Sequence, residues 1–243
     1  MGNGVGNPSG KKLRHVAVIM DGNARWACQN GQSVAEGHRQ GAAAVQRCIA
    51  AAIKHDVPYL TLYAFSSENW RRAPEEVAAL TALLSYYLSE KVGELVEQGV
   101  RLKVIGEPER FGGEIGATIA AAERRTALNN KLCLTLALSY GSRSEIANAC
   151  RHLAQEVAAG RCAPASIDEG AVAASLQTAA LPDPDIIVRT SGEKRLSNFL
   201  LWQAAYAELL FLDVLWPDFS EQDFEHVVHY FATRQRRFGG RPS

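Results

Sequence analysis

No run of apolar residues in this 243-residue chain approaches the about 18 that a membrane-spanning helix needs, so no such helix is predicted. Charge of one sign is not in excess: Lys plus Arg and Asp plus Glu number 26 each. That balance argues against a general nucleic-acid binder and confines any anion site to a local cluster. Cysteine is scarce, odd in number and without a C-x-x-C pair. Cys28, Cys48, Cys133, Cys150 and Cys162 therefore fit free thiols in a reducing compartment, not a disulfide framework or a zinc site. G-x-x-x-x-G-K-S/T is absent, and G-x-G-x-x-G does not follow the first strand pattern; a Walker-type nucleotide site and a dinucleotide fingerprint are excluded together. There is no G-x-S-x-G nucleophile elbow. His226 and His229 have helical spacing but no third ligand and read as a solvated helix face. Internal repeats and low-complexity tracts are missing.

What is present is an alternation. Hydrophobic residues make up 47% of the chain, enough for a large core. Strand-like runs are predicted at Val16–Met20, Pro58–Phe65, Val100–Ile105, Lys131–Tyr140, Pro184–Arg189 and Leu209–Val214. Helical patterns fall between and after them, at Gly37–Lys54, Pro74–Gly99, Phe111–Leu128, Ser144–Ala159, Asp168–Thr178 and Ser220–Arg237. The pattern predicts a single α/β domain over residues 13–240, with a central, mostly parallel six-stranded sheet flanked by helices. Residues 1–12, rich in Gly and Asn with Lys11 and Lys12, read as a disordered tail and not as a signal peptide. Right-handed crossovers place all strand C-termini on one edge, where open α/β sheets bind ligands.

The stretch His15–Trp26 is the natural centre of such a site. A buried strand stops on Asp21-Gly22-Asn23, and Arg25 and Trp26 follow at a helix mouth. Glycine lets backbone approach closely, helix-start N–H groups point outward, and arginine adds a charged fork. Asp21 can hold a phosphate only through a divalent metal such as Mg²⁺. The same residues also fit an ordinary strand–turn–helix connection. The parallel sheet gathers further polar segments on that edge: Ser66-Ser67-Glu68-Asn69-Trp70-Arg71-Arg72, Tyr140-Gly141-Ser142-Arg143 and Arg189 to Arg195. Many guanidinium and hydroxyl donors with few acids suit a strongly anionic ligand.

With those segments in place the chain resembles the cis-prenyltransferases of the undecaprenyl diphosphate synthase type. The matching residues are His15 to Asn23, Gly37-His38, Leu62 to Trp70, Ile187 to Glu193, Arg195 to Gln203, Ala205 to Glu208, Leu215 to Phe219 and Arg236 to Gly240, in family order and spacing. The resemblance implies sequential condensation of isopentenyl diphosphate onto an allylic diphosphate such as farnesyl diphosphate, each cycle adding a Z double bond, to a polyprenyl diphosphate such as undecaprenyl diphosphate. It implies Mg²⁺ held by Asp21 and Glu208. It implies Asp21 and Asn69 as catalytic residues, with Ser66 or Asn69 orienting the homoallylic substrate or relaying its proton. Gly22, Asn23, Ala24 and Arg25 would cradle the allylic diphosphate, and Arg189, Arg195 and Ser197 would hold isopentenyl diphosphate. Trp26, His38, Ser66, Ser67, Glu68, Trp70 and Arg72 complete the implied substrate-binding set.

The resemblance further implies a hydrophobic product tunnel. Leu62, Ala64, the Val77–Leu95 helix and Leu134, Leu136 and Leu138 are candidates to line it. It also implies a homodimer whose Arg236–Gly240 tail reaches the neighbour's site, a cytoplasmic location, and a peripheral membrane contact for product release. Ala24 stands where bacterial members often have glycine. Ser139 and Ser142 depart from the usual Asn-Tyr-Gly-Gly-Arg, and Lys194 fills a position often held by His or Gln. Val34 stands where many members place an arginine, for which Arg39 is a substitute candidate. Tyr87 brings bulk to the tunnel helix, which implies a product shorter than undecaprenyl. A non-catalytic scaffold subunit and an irregular condensing enzyme on the same fold are the competing readings.

Overall fold

Alternation along the first strand sets up two cores. Val16 and Val18 face one side and Ala17 and Ile19 the other, and all four are buried. The structure is a computed structural model that describes residues 12–234. Its strands are β1 His15–Ile19, β2 Tyr59–Ser66, β3 Val100–Gly106, β4 Leu132–Tyr140, β5 Ile186–Arg189 and β6 Glu208–Phe211. They form one six-stranded sheet in the order β3-β4-β2-β1-β5-β6, with every neighbouring pair parallel. The helices are α1 Asn23–Gln29, α2 Val34–Lys54, α3 Pro74–Glu90, α4 Val92–Gln98, α5 Gly113–Thr126, α6 Ser142–Ala158, α7 Glu169–Ala174 and α8 Glu221–Ala232. The larger core packs α2, α3, α4, α5 and α8 against the Val16 face. The smaller one packs Phe199 and Leu200 against Ala17, Ile19 and Tyr63, with the Tyr63 and Phe199 rings stacked 4.5 Å apart.

Boundaries move where side chains compete for backbone groups. The predicted helix Pro74–Gly99 is two helices, broken at Lys91. Just before the break Ser89 Oγ donates to the Ser85 and Tyr86 carbonyls, the kind of back-bond that bends helices. Gly99, with φ +75°, ends α4. The helix predicted over Asp168–Thr178 stops at Ala174, and soon after it Glu145 Oε1 takes the Gln177 N–H at 3.0 Å. β6 ends at Phe211 because Leu212 and Val214 carbonyls accept instead from the Gly192 and Ser191 N–H groups of the loop after β5. α2 starts three residues earlier than its apolar pattern, capped by Ser33 Oγ on the Glu36 N–H. The N-terminal tail to residue 11 and the Arg236–Gly240 segment lie outside the described residues.

Candidate active site

From β1 the chain crosses to β2 on one side and from the neighbouring β5 it passes to β6 on the other, so a crevice opens between the C-terminal ends of β1 and β5. Asp21 sits in that crevice. Its backbone is fixed from three sides: Thr190 Oγ1 accepts its N–H at 2.9 Å and donates to its carbonyl at 2.7 Å, and the Trp216 N–H donates to that carbonyl at 3.0 Å. Its Oδ2 accepts from Arg189 Nη2 at 2.8 Å, and Oδ1 lies 3.5 Å from Arg25 Nη2. Burial pushes this carboxyl up, but the Arg189 hydrogen bond and charge, Ser191 and Arg25 outweigh it and hold it below the usual range.

Gly22 starts α1 at φ +112°, and a Cβ there would meet Leu215 Cδ2 at 2.9 Å, so the turn demands glycine. No side chain caps α1, so the first N–H groups of the helix, at Asn23, Ala24 and Arg25, have no capping acceptor, and these three residues line the crevice. Arg25 is held as a fork, Nη1 to the Ser191 carbonyl at 2.9 Å and Nη2 to Ser191 Oγ at 2.6 Å, with Glu193 3.5 Å away. Across the crevice Glu76 Oε1 accepts from Arg72 Nη1 at 2.7 Å and lies 3.1 Å from His38 Nε2. Burial lowers the His38 pKa against the opposing pull of Glu76, leaving the imidazole neutral at pH 7.

Asp21, Gly22, Asn23, Ala24, Arg25, His38, Asn69 and Arg72, all named from the sequence, line one polar cavity; Glu76 and Tyr63 line it too. Arg189 lies beside it, only 6% exposed, donating through Nη1 to Ser197 Oγ and the Arg195 carbonyl, both at 2.7 Å. Arg195 therefore contributes backbone here while its exposed side chain pairs with Glu193. The remaining predicted residues stand back from the cavity. Trp26 Nε1 donates to Asp218 at 2.7 Å. Ser66 lies behind Asn69, its N–H donating to Asn69 Oδ1 at 2.9 Å. Glu68 accepts from Asn198 at 3.0 Å, and Ser67 lies against Gly141. Trp70 bonds Ser139 Oγ at 2.9 Å and packs on Phe65 and Phe111.

Two expectations do not meet the site. Parallel register places Glu208 opposite Ile186, at the start of β6, three residues before the strand end that faces Asp21. That is about 10 Å along the strand, so within one chain Glu208 does not join Asp21 around an ion. Among the described residues no group of three or more His, Cys, Asp or Glu could hold a metal. Arg39 pairs with Glu36 and does not line the cavity, so it does not replace the arginine absent at Val34. Glu76 and Tyr63 were not named as site residues from the sequence. Glu76 was legible only as a helix-start acid after Pro74, although its spacing of four from Arg72 was a usable signal.

The polar cavity does not end at His38. Met20, Asn23, His38, Ala64 and Leu80 also line a second, apolar cavity between α2, α3 and the sheet. Its volume open to water-sized molecules is about 160 Å³. Leu84, Tyr87, Leu95, Leu102 and Leu134 wall its deeper part. A polar, anion-fitted mouth leading into an apolar chamber defines a site for a molecule with a charged head and a hydrocarbon tail.

Comparison with known proteins identifies the class. The family model for undecaprenyl diphosphate synthase matches residues 19–239. An isoprenyl transferase of Bradyrhizobium diazoefficiens is 48% identical over 93% of this chain and 90% of its own length. The farnesyl-diphosphate-specific ditrans,polycis-undecaprenyl-diphosphate synthase of Salmonella paratyphi A is 49% identical over the same shares, 93% and 90%. Among solved structures, lavandulyl diphosphate synthase from Lavandula x intermedia, in complex with dimethylallyl diphosphate, superposes with a TM-score of 0.91 at 35% identity, covering 94% of this chain and 98% of that one. A probable undecaprenyl diphosphate synthase from Campylobacter jejuni gives 0.78 at 32% identity, covering 94% and 99%. The chain belongs to the undecaprenyl diphosphate synthase family and is a prenyltransferase.

Proposed function

We propose that this prenyltransferase condenses isopentenyl diphosphate with an allylic diphosphate, farnesyl diphosphate by preference, in repeated Mg²⁺-dependent Z-additions. The observation that carries this reading is the continuity of the polar cavity around Asp21 and Arg25 with the apolar one behind His38. Arg25, held as a fork, and the uncapped N–H groups of Asn23 to Arg25 would bind the allylic diphosphate and stabilise the charge that grows as it leaves. Arg189, Arg195 and Ser197 would hold isopentenyl diphosphate beside it. Asn69, anchored by its cap on Ser66, would orient the homoallylic substrate. The hydrocarbon would extend into the apolar cavity, each buried methylene contributing about 0.8 kcal/mol.

The donor set fits Mg²⁺. Asp21 is a partly buried carboxylate on the cavity wall, and Mg²⁺ takes one or two carboxylates with the rest of its shell from phosphate oxygens and water. Bound there, the ion would neutralise diphosphate charge. A homodimer, a cytoplasmic location and a peripheral membrane contact complete the proposal; no helix among the described residues is long and apolar enough to cross a membrane. The TM-score of 0.91 to lavandulyl diphosphate synthase favours irregular condensation as the second reading.

The test is incorporation of radiolabelled isopentenyl diphosphate with Mg²⁺, offering farnesyl, geranyl and dimethylallyl diphosphates separately, with Asp21→Ala as control. A ladder of Z-polyprenyl products that Asp21→Ala abolishes is expected. A branched product would establish irregular condensation, and no product from any primer would leave a scaffold subunit.

A further inference from the structure

One wall of the apolar cavity has an outer side unlike the rest of the surface. Leu95 of α4 and Leu102 of β3 wall the deep part of the cavity. Both are tied by backbone to the turn that joins α5 to β4. Thr126 Oγ1 accepts the Leu102 N–H at 3.0 Å, and Asn129 Nδ2 donates to the Leu95 and Val100 carbonyls at 3.3 and 2.8 Å. The Lys131 N–H completes the tie on the Gly99 carbonyl at 3.0 Å. The turn is thus the back of the cavity wall, on the opposite sheet edge from β6.

On that turn Leu128 is 98% exposed, more than any other large apolar residue among those described, and Val96 of α4 is also exposed nearby. An isolated exposed leucine carries no message. This one shares its turn and the end of α5 with Arg124, Arg125 and Lys131, with Arg101 on the adjoining β3, all exposed. Glu97 is the sole acid in the segments 96–101 and 124–131; Glu123, just before them, turns inward to the Val104 N–H at 2.9 Å. A local excess of cations in a chain with equal numbers of acids and bases is a deliberate field, not a consequence of composition. Arginines at the end of α5 complement its dipole, but that does not explain an apolar side chain projecting beyond them.

We infer that the Leu128 turn docks on an anionic lipid bilayer, with Leu128 entering the acyl boundary and Arg101, Arg124, Arg125 and Lys131 on the headgroups. Charge complementarity selects this occupant over a second copy of the chain, whose matching patch would carry the same sign. Neither signal alone gives firm attachment; an apolar insertion together with a polybasic patch does. The position has a purpose that rests on the polyprenyl-forming reading: it holds this wall of the hydrocarbon cavity against the membrane that receives the chain. Docking itself does not depend on that reading.

The experiment is cosedimentation of the full chain with phosphatidylcholine vesicles containing about one third phosphatidylglycerol, compared with pure phosphatidylcholine. The chain is expected to bind the anionic vesicles, to release in high salt, and to ignore the neutral ones. Leu128→Ser should weaken binding about tenfold, and the Arg124→Glu, Arg125→Glu double variant more strongly. Both should retain wild-type prenyl transfer in detergent, since neither position lines the site. Equal binding to neutral vesicles, wild-type binding by both variants, or salt-insensitive self-association through this face would overturn the inference. Vesicle binding without prenyl transfer would leave docking standing and remove the polyprenyl-forming reading.

Discussion

Arg189 Nη2 donates to Asp21 Oδ2 at 2.8 Å, tying the end of β5 to the turn after β1. The same guanidinium serves Ser197 Oγ and the Arg195 carbonyl, so one planar fork holds three parts of the site in register. A lysine offers a single point of donation and cannot span them. Arg189→Lys is therefore expected to reduce kcat/KM at least about 100-fold and to destabilise the fold by about 1–3 kcal/mol, as for a buried charged hydrogen bond left incomplete. Steady-state kinetics and urea unfolding check the two parts separately.

Glu76 holds both Arg72 and His38. Glu76→Ala should release them and lower kcat/KM about tenfold. Because Arg72 is an exposed partner, stability should change by less than about 1 kcal/mol. A variant that loses folding and activity in parallel would show Glu76 to be structural.

Gly41 is the floor under Asn23. A Cβ at Gly41 would fall 2.4 Å from Asn23 Oδ1 and 3.2 Å from Trp216 Cδ1. Gly41→Ala must push Asn23 out of the shared wall of the two cavities. An overpacking cost of about 1–3 kcal/mol is expected, together with a rise in KM for the allylic substrate. A crystal structure of the variant with Asn23 unmoved would contradict this.

Tyr87 lies on the deep wall of the apolar cavity. Tyr87→Ala removes that bulk and is expected to shift the product ladder toward longer chains with little effect on initial rate. Chromatography of the radiolabelled products reads this directly. An unchanged ladder would place the length limit elsewhere.

His15 predicts a pH response that has nothing to do with catalysis. It is buried at the start of β1, with Nε2 2.8 Å from Thr61 Oγ1 and Nδ1 2.6 Å from the Pro182 carbonyl. Burial lowers its pKa from 6.5 to about 4. Between those values the unfolded chain binds more protons than the folded one, so stability is full above about pH 6.5 and falls as pH falls toward about 4. The loss between pH 7 and pH 5 is about 2 kcal/mol for this residue, and the lowered His38 acts in the same direction. Asp21, with its pKa depressed, loses its contribution only in more acid solution, below the ordinary carboxylate range. His15→Gln should flatten the fall in urea midpoint between pH 7 and pH 5.

The strands were legible because each is a run of apolar or β-branched residues bounded by turn signals, and the parallel order followed from the helices between them. Asp21, Arg25, His38 and Arg72 were legible because they fall at strand ends or in matched motifs. The break at Lys91 was not, since it depends on a serine hydroxyl reaching back to a carbonyl. Nor was the separation of Glu208 from Asp21: a motif fixes residue types, whereas register fixes which end of a strand they occupy. Glu76 was hidden because helix-start chemistry already accounted for it.

The order β3-β4-β2-β1-β5-β6 puts the first strand made in the middle of the finished sheet, waiting for neighbours from both directions. Asp21 and Arg189 stand 168 residues apart. During synthesis the segment that ends at β4 already carries every residue lining the polar cavity, while Arg189, the partner of Asp21, is still to come. A nascent chain therefore presents Asp21, Arg25, His38 and Arg72 before it holds the guanidinium that pins Asp21. Completion of β5 closes that interval.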